Sequence, residues 1–296
     1  MFRFLPKSWI IQREYVKLEL LYVEQLRKRR DVLSADKSED DDKIVDKDDA
    51  TENNEVDDKV LNCSIVKLVI ENAVETINDP KFIVSLIATV RIFSFAEDIV
   101  QDMFKTLEEK YPDSPITWDT LAREELKHGV NQSTEKYIQS LEQLKSKELF
   151  QMAFSTLTEC STLYPKIMVR ITKNILKLLK TGHENSLLGA EHYKFWIQIL
   201  DDDVHSDEKS EIISSAVSQY PDNVDLRTEQ LLFTQTRTVK MTRDRGHKTM
   251  MKCFTEAVEA LQESQESSVK IWEVMLRSSS ASPRFLLNLI FLDWLM

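Results

Sequence analysis

The strongest constraint on this chain is a dipeptide, Tyr-Pro, that returns three times with the same residues in front of it. It stands at Tyr111-Pro112, Tyr164-Pro165 and Tyr220-Pro221. Phe104 and Leu107 precede the first, Leu157 and Cys160 the second, Ile213 and Ala216 the third, always seven and four residues before the tyrosine. Positions so spaced share one helix face, and proline then stops the helix, because it lacks an N–H and its ring clashes with the preceding turn. Two other patterns recur. Tyr15-x3-Glu19-Leu20 matches Leu121-x3-Glu125-Leu126, and a small residue sits in an apolar stripe at Ile70-x2-Ala73-Val74, Ile213-x2-Ala216-Val217 and Phe254-x2-Ala257-Val258. The simplest cause is a series of helix pairs. A large side chain of the first helix (Tyr15, Trp118 or Trp272) wedges between the helices, and a small one on the second (Ala73, Ala216 or Ala257) makes room. Pro112 to Pro165 is 53 residues and Pro165 to Pro221 is 56, longer than one 34-residue repeat, so further helices or long loops lie between them.

The sequence favours no competing architecture. Only four glycines occur in 296 residues, which disfavours tight hairpins and phosphate-cradling loops. Neither G-x-x-x-x-G-K-[ST] nor G-x-G-x-x-G is present. Cys63, Cys160 and Cys253 are too scattered for a disulfide framework and read as small core residues in a reducing compartment. The start, "MFRFLPKSW", has no apolar core of a signal peptide, and the apolar tail "FLLNLIFLDWLM" is too short to span a bilayer and contains Asp293. No membrane association is expected.

The net charge of −11 is concentrated. Asp36 to Asp58 holds twelve acids against three lysines, a net of −9, so everything else carries about −2. Such a stretch has too little apolar surface to form a core, and 35–59 is expected to be a disordered acidic loop whose shortening leaves stability nearly unchanged. Elsewhere the periodicity predicts an all-α chain with no strand. The first helix, 9–33, places Tyr15, Leu18, Tyr22 and Leu26 on its apolar face. A stripe from Val66 to Ile77 follows. Asp79-Pro80 opens a helix over 81–95, another runs to Tyr111, and Ser114-Pro115 opens the helix that holds Trp118 and ends before Gly129. Further helices are expected at 133–145, 147–163, 167–181, 187–201, 207–219, 223–236, 248–263 and 268–278.

Candidate sites are few. "RKRR" (Arg27 to Arg30) reads as an RNA or nuclear-import patch, or as a basic helix end complementing its dipole. Arg237, Lys240, Arg243, Arg245 and Lys248 fall in an expected loop and form the better RNA candidate. "DDDVH" (Asp201 to His205) lies at a helix end, where a solvated turn suits it better than a metal site. His128, His183, His192 and His247 lack paired ligand spacing, and no nucleophile motif appears. No catalytic, cofactor or metal residue is therefore assigned. Two readings remain, a binding scaffold and an enzyme without a recognisable motif. Among binding proteins, Glu19 and Glu125 at the matched position disfavour a clamp for acidic peptides.

These patterns resemble half-a-TPR (HAT) repeats, whose first helix carries W-x2-[YL]-x3-E and whose second carries a small residue in an apolar stripe. More narrowly, "RFLPKSWIIQREYVKLELLYVEQLRKRR" and the stretch from "VIENAVETINDP" through "YPDSPITWDTLAREEL" resemble the U3 small nucleolar RNA-associated protein 6 family. The likeness is specific over 2–34 and 60–126. Over 127–296 it rests on "EHYKFWIQIL", "CFTEAVEAL" and "VKIWEVMLR". The resemblance implies a right-handed α-solenoid and a non-catalytic nucleolar scaffold in the small-subunit processome. It implies partnership with WD-repeat propeller proteins and with a small nucleolar ribonucleoprotein, RNA being touched directly or through protein, in support of early cleavages that mature 18S RNA. The alternative is a HAT- or TPR-like adaptor in another RNA-processing complex or a cytosolic one. The expected organisation is a partial repeat over 1–34, the acidic loop over 35–59, and a solenoid over 60–296 that stops inside a helix. A partial solenoid would expose Phe2, Phe4 and Trp9 at one end and Leu286, Leu289, Ile290 and Trp294 at the other, and would associate.

Overall fold

The computed structural model describes residues 8–36, 62–201, 205–239, 241–261 and 269–274. Among them every regular element is helical and no strand occurs. The longer helices are α1 (Trp9–Asp36), α2 (Ser64–Thr76), α3 (Pro80–Val90), α4 (Glu97–Lys110), α5 (Pro115–Glu124), α6 (Val130–Leu144), α7 (Lys147–Leu163), α8 (Met168–Glu184), α9 (Ala190–Ile199), α10 (Ser206–Gln219), α11 (Val224–Val239) and α12 (Arg243–Ala260). Short 3-10 turns occupy Ser94–Ala96, Glu125–Lys127 and Pro165–Ile167, and residues 269–274 are again helical. The body of the acidic stretch and the apolar tail with Leu286, Leu289, Ile290 and Trp294 lie outside the described residues, as do Phe2 and Phe4.

Local chemistry sets the helix ends. The Asp79 carboxylate accepts the Lys81 N–H at 2.8 Å, and Pro80 takes the first helical position, where a missing N–H costs nothing. Gly129 precedes α6 with φ at +136°, a conformation open only to glycine. Helix α4 begins with Glu97 and Asp98 and ends with Lys110, charges that complement its dipole. The helix expected over 81–95 stops at Val90 instead, and a 3-10 turn re-aims the chain before α4.

The chain divides into two compact units, Met1–Asn174 and Ile175–Met296, with the division inside α8. In the first unit α1 packs on α2 and α3, α3 on α4 and α5, and α5 on α6 and α7. One core runs from Val16, Leu20 and Val23 of α1 through Ile70, Ala73, Phe82, Leu86 and Val100 to Leu107. In the second unit α9 and α10 pair, α11 packs on both, and α12 pairs with α11. Leu231, Met250, Phe254, Ala257 and Ile271 form a core there. Successive helices thus pack in pairs, and α1, α3, α5 and α7 in the first unit, like α9 and α11 in the second, contact one another in order.

The tyrosines of the three Tyr-Pro sites share one backbone geometry. Tyr111, Tyr164 and Tyr220 have φ, ψ of −133°, 51°; −123°, 67°; and −130°, 67°. Each donates its backbone N–H to the residue four before it (Leu107, Cys160 and Ala216), and each carbonyl accepts the N–H three residues on (Ser114, Ile167 and Asn223). Two of them also close their helix pair through the phenol. Tyr111 Oη bonds Asn78 Oδ1 at 2.6 Å, just ahead of α3, and Tyr220 Oη donates to the Leu188 carbonyl at 2.7 Å, just ahead of α9.

One expected face is wrong. Helix α1 buries Gln12, Val16, Leu20 and Val23, whereas Leu18 and Tyr22 are exposed and Tyr15 and Leu26 are only half-buried. Apolar residues surround this helix, so two stripes of equal period compete. The stripe with the β-branched Val16 and Val23 fits the close contact with α2 and α3. Trp9, expected at a bare end, is partly exposed and tilts against Phe82 with ring centroids 5.8 Å apart.

Candidate functional site

The repeat residues take different places. Ala73, Ala216 and Ala257 are buried on α2, α10 and α12, and Ile70, Val74, Ile213 and Val217 around them are buried too. Leu121 is half-buried against the first core, and Glu125 opens the 3-10 turn after α5, where its carbonyl accepts the His128 and Gly129 N–H groups. Tyr15 is not a wedge. It is half-exposed and hydrogen-bonded to Glu19, which pushes the phenol pKa up. Trp118 is half-exposed as well. Its Nε1–H donates to the Pro112 carbonyl at 2.6 Å, and Lys136 Nζ lies 5.0 Å from the ring centroid. Arg227 makes the matching bond, Nε to the Pro221 carbonyl at 3.1 Å. At these two sites the residue six after the proline is therefore a turn clamp, whereas Ile171 holds that place after Pro165. Trp272 lies half-buried, edge-on to Phe254 with centroids 4.8 Å apart.

The large buried aromatics between the helices are instead tyrosines that the repeat pattern does not single out. Tyr137 of α6 is fully buried, donates to Asp119 Oδ1 at 2.6 Å and lies 3.3 Å from Thr156 Oγ1. Asp119 also pairs with Arg123 at 2.9 Å, so the carboxylate links α5 to α6 while keeping a counter-charge. Burial, with the Asp119 charge beside it, pushes the Tyr137 phenol far above its ordinary pKa. In the second unit Tyr193 is fully buried with its hydroxyl 2.7 Å from His183 Nδ1 and 3.2 Å from Gln219 Oε1. These sets hold helices together.

The expected basic loop is mostly helix. Arg237 belongs to α11, and Arg243, Arg245 and Lys248 belong to α12, while Lys240 lies outside the described residues. Gly246, which reads as a loop residue, is there for proximity: a Cβ on it would stand 3.1 Å from the Thr238 carbonyl oxygen. Arg245 and Lys248 are exposed. Arg237 bonds Ser210 Oγ at 3.3 Å and sits over the Phe233 ring at 5.8 Å. Beside it is a groove of about 220 Å³ lined by Ser210, Ser214, Gln230, Thr234, Thr238 and Thr249. The hydroxyls of Ser214, Thr234, Thr238 and Thr249 donate to carbonyls of their own helices. Sequence reading missed these residues. Ser210 and Ser214, like Thr234 and Thr238, are four apart, the spacing that could have marked them.

The other candidates are unremarkable in chemistry. Arg29 and Arg30 are exposed on the last turns of α1. Of "DDDVH", Asp201 and His205 are described, and the His205 N–H donates to the Asp201 carbonyl; the residues between lie outside. Among the described residues no group of three His, Cys, Asp or Glu could hold a metal ion, and no helix is long and apolar enough to cross a membrane. Cys63, Cys160 and Cys253 are buried and outside any disulfide, each thiol pushed up in pKa chiefly by burial. Cys63 lies just ahead of α2 in the left-handed region rather than within a helix.

Comparison with known proteins gives this architecture a family. The family model described as U3 small nucleolar RNA-associated protein 6 C-terminal matches residues 131–288, the stretch where the likeness legible in the residues is weakest. The chain is similar to the mouse U3 small nucleolar RNA-associated protein 6 homolog, 27% identical over 222 residues, covering 67% of this chain and 35% of the relative. It is similar to the human homolog at 28% over 215 residues, covering 65% and 34%. The chain therefore spans about a third of the length of these relatives. With the family model covering more than half of it, the chain belongs to the U3 small nucleolar RNA-associated protein 6 family.

Proposed function

We propose that this chain is a non-catalytic scaffold of ribosome biogenesis, acting in an assembly with the U3 small nucleolar ribonucleoprotein. The match of the family model over 131–288 carries this reading. In it, the HAT-like helix pairs form a right-handed α-solenoid, and the protein acts in the nucleolus. Their surfaces hold protein partners, WD-repeat propeller proteins of the small-subunit processome among them, and so support the early cleavages that release 18S RNA. Charge favours protein over RNA as the main partner. Outside Asp36–Asp58 the net charge is only about −2, whereas phosphate binding needs a positive surface. The exposed Arg237, Arg245 and Lys248 supply local RNA contact at most.

Depletion of the protein in cells tests the reading, with the full chain tagged for localisation. Small-subunit 18S RNA should fall while large-subunit RNA is spared, and the tagged protein should concentrate in the nucleolus and co-purify with U3 RNA. Unchanged 18S RNA, or a protein that stays in the cytosol, would replace this reading with the cytosolic adaptor.

A further inference from the structure

The second of the three Tyr-Pro turns departs from the other two at every position that could keep it closed. After Tyr111-Pro112 and Tyr220-Pro221 the chain continues Asp113-Ser114 and Asp222-Asn223; after Tyr164-Pro165 it continues Lys166-Ile167-Met168-Val169. A carboxylate has become a cation, and polar cap residues have become large apolar ones. The tyrosine backbone is the same at all three, but Pro165–Ile167 winds on as a 3-10 turn into Met168, where Ser114 is extended ahead of its helix. Tyr111 and Tyr220 are half-buried with bonded hydroxyls, whereas Tyr164 is 55% exposed and its hydroxyl has no partner among the described residues.

Nine successive residues, Thr162 to Arg170, are exposed, and six of them are apolar. Leu163 is 69% exposed, Met168 55% and Val169 74%. A contiguous apolar patch rimmed by charge marks an interaction surface more often than scattered exposed side chains do. It continues into a groove of about 420 Å³ whose walls include Leu126, Val130, Cys160, Leu163 and Ile167. The rim is cationic. From Cys160 to Asn174 the sequence holds Lys166, Arg170 and Lys173 and no acid, and none of the three has a carboxylate partner among the described residues. Glu159 is the one carboxylate on the groove wall.

We propose that the turn Leu163–Arg170 and its groove are a docking surface for an amphipathic segment of a protein partner, whose large apolar side chains enter the groove and whose flanking Asp and Glu residues meet Lys166, Arg170 and Lys173. The proposal rests on the scaffold reading and gives one of its surfaces an occupant. Nucleic acid would use the cations but would leave the apolar side chains in water. A second copy of this chain would bring cation against cation.

The test places p-benzoylphenylalanine at the position of Val169 in the full chain, expressed in cells and irradiated. It compares that chain with one also carrying Lys166→Glu and Arg170→Glu. The expected result is a ribonuclease-resistant adduct with another protein, in which the crosslinked peptide carries excess Asp and Glu around at least two large apolar residues. Its yield should fall about tenfold in the charge-reversed chain, because like charges then face one another. All the altered side chains are exposed, so the thermal midpoint of the purified variant should match that of the parent. The surface assignment is overturned by an adduct no stronger than in the charge-reversed chain, or by one with RNA, with a second copy or with this chain's own residues. Sedimentation of the same lysates separates the two ideas. An acidic-peptide adduct on a chain that never sediments with precursor ribosomal RNA retains the surface and sinks the processome reading, while co-sedimentation without the adduct does the reverse.

Discussion

Tyr220 Oη donates to the carbonyl oxygen of Leu188 across 32 residues, and Tyr111 makes the equivalent bond to Asn78 across 33. Each bond joins the last residue of a helix pair to the residue just ahead of its first helix. The proline that follows then turns the chain at a fixed angle to the pair it has left. A phenylalanine could fill the same space but could not close the pair.

Removing the hydroxyl should therefore matter at two tyrosines and not at the third. Tyr220→Phe leaves the carbonyl of buried Leu188 without its partner and should cost about 1–1.5 kcal/mol, the upper part of the range for a hydrogen bond. Tyr111→Phe, at a more exposed bond, should cost about 0.5–1 kcal/mol. Tyr164→Phe should stay within about 0.5 kcal/mol of the parent. Urea denaturation of the three variants checks the order; equal losses would show that the phenols act through packing alone.

Trp118 is the residue whose role changes most between sequence and structure. A tryptophan buried as a wedge loses about 3–5 kcal/mol on truncation to alanine. Half-exposed beneath Lys136, Trp118 should lose only about 1–2 kcal/mol in Trp118→Ala, the part-burial of the ring plus a cation–π contact. Trp118→Phe should recover most of that, lacking only the bond to the Pro112 carbonyl. A loss above about 3 kcal/mol by chemical denaturation would restore the core role.

Such differences show where the sequence is informative. Tyr-Pro is legible because proline and a helical stripe constrain the backbone locally, whatever packs around them. The small residues Ala73, Ala216 and Ala257 are legible because their stripes are flanked by polar positions. Helix α1 is not, since Tyr15, Leu18 and Tyr22 form as good a stripe as Val16, Leu20 and Val23, and only the neighbours α2 and α3 choose. The basic stretch from Arg237 to Lys248 misleads because glycine and charge signal loops, yet Gly246 serves the approach of two helices. The exposed turn at Lys166 is visible only once the burial of its side chains is set beside that of two turns that are closed.

Gly246 yields a test of that approach. Alanine in a helix interior is ordinarily better than glycine by about 0.8–1 kcal/mol. Here the new Cβ would press on the Thr238 backbone, which cannot swing aside as a side-chain tip can. Gly246→Ala should bring no gain, and Gly246→Val, with two more methyls in the same gap, should cost about 1–3 kcal/mol. A clear rise in stability for the alanine variant would mean that α11 and α12 have room to separate.

His192 makes one part of this stability depend on pH. It stands at the third position of α9, buried, with its Nδ1 accepting the Gly189 N–H at 3.0 Å, the place that glutamine or glutamate fills in a capping box. Only the neutral ring can accept at Nδ1. Burial pushes the pKa below its ordinary value and outweighs the opposing charge of Glu191. The unfolded chain therefore takes up this proton at a higher pH than the folded one. The histidine's contribution is complete above the unfolded pKa of about 6.5 and is lost as pH falls from there through the lower folded value. His192→Gln keeps an acceptor for the Gly189 N–H and cannot be protonated. Urea midpoints measured between pH 7.5 and pH 5 should fall more steeply for the parent than for His192→Gln, with the two curves closest at the alkaline end. Parallel curves across that interval would show that the Gly189 bond tolerates the charged ring, and that the cap of α9 plays no part in the acid sensitivity of the fold.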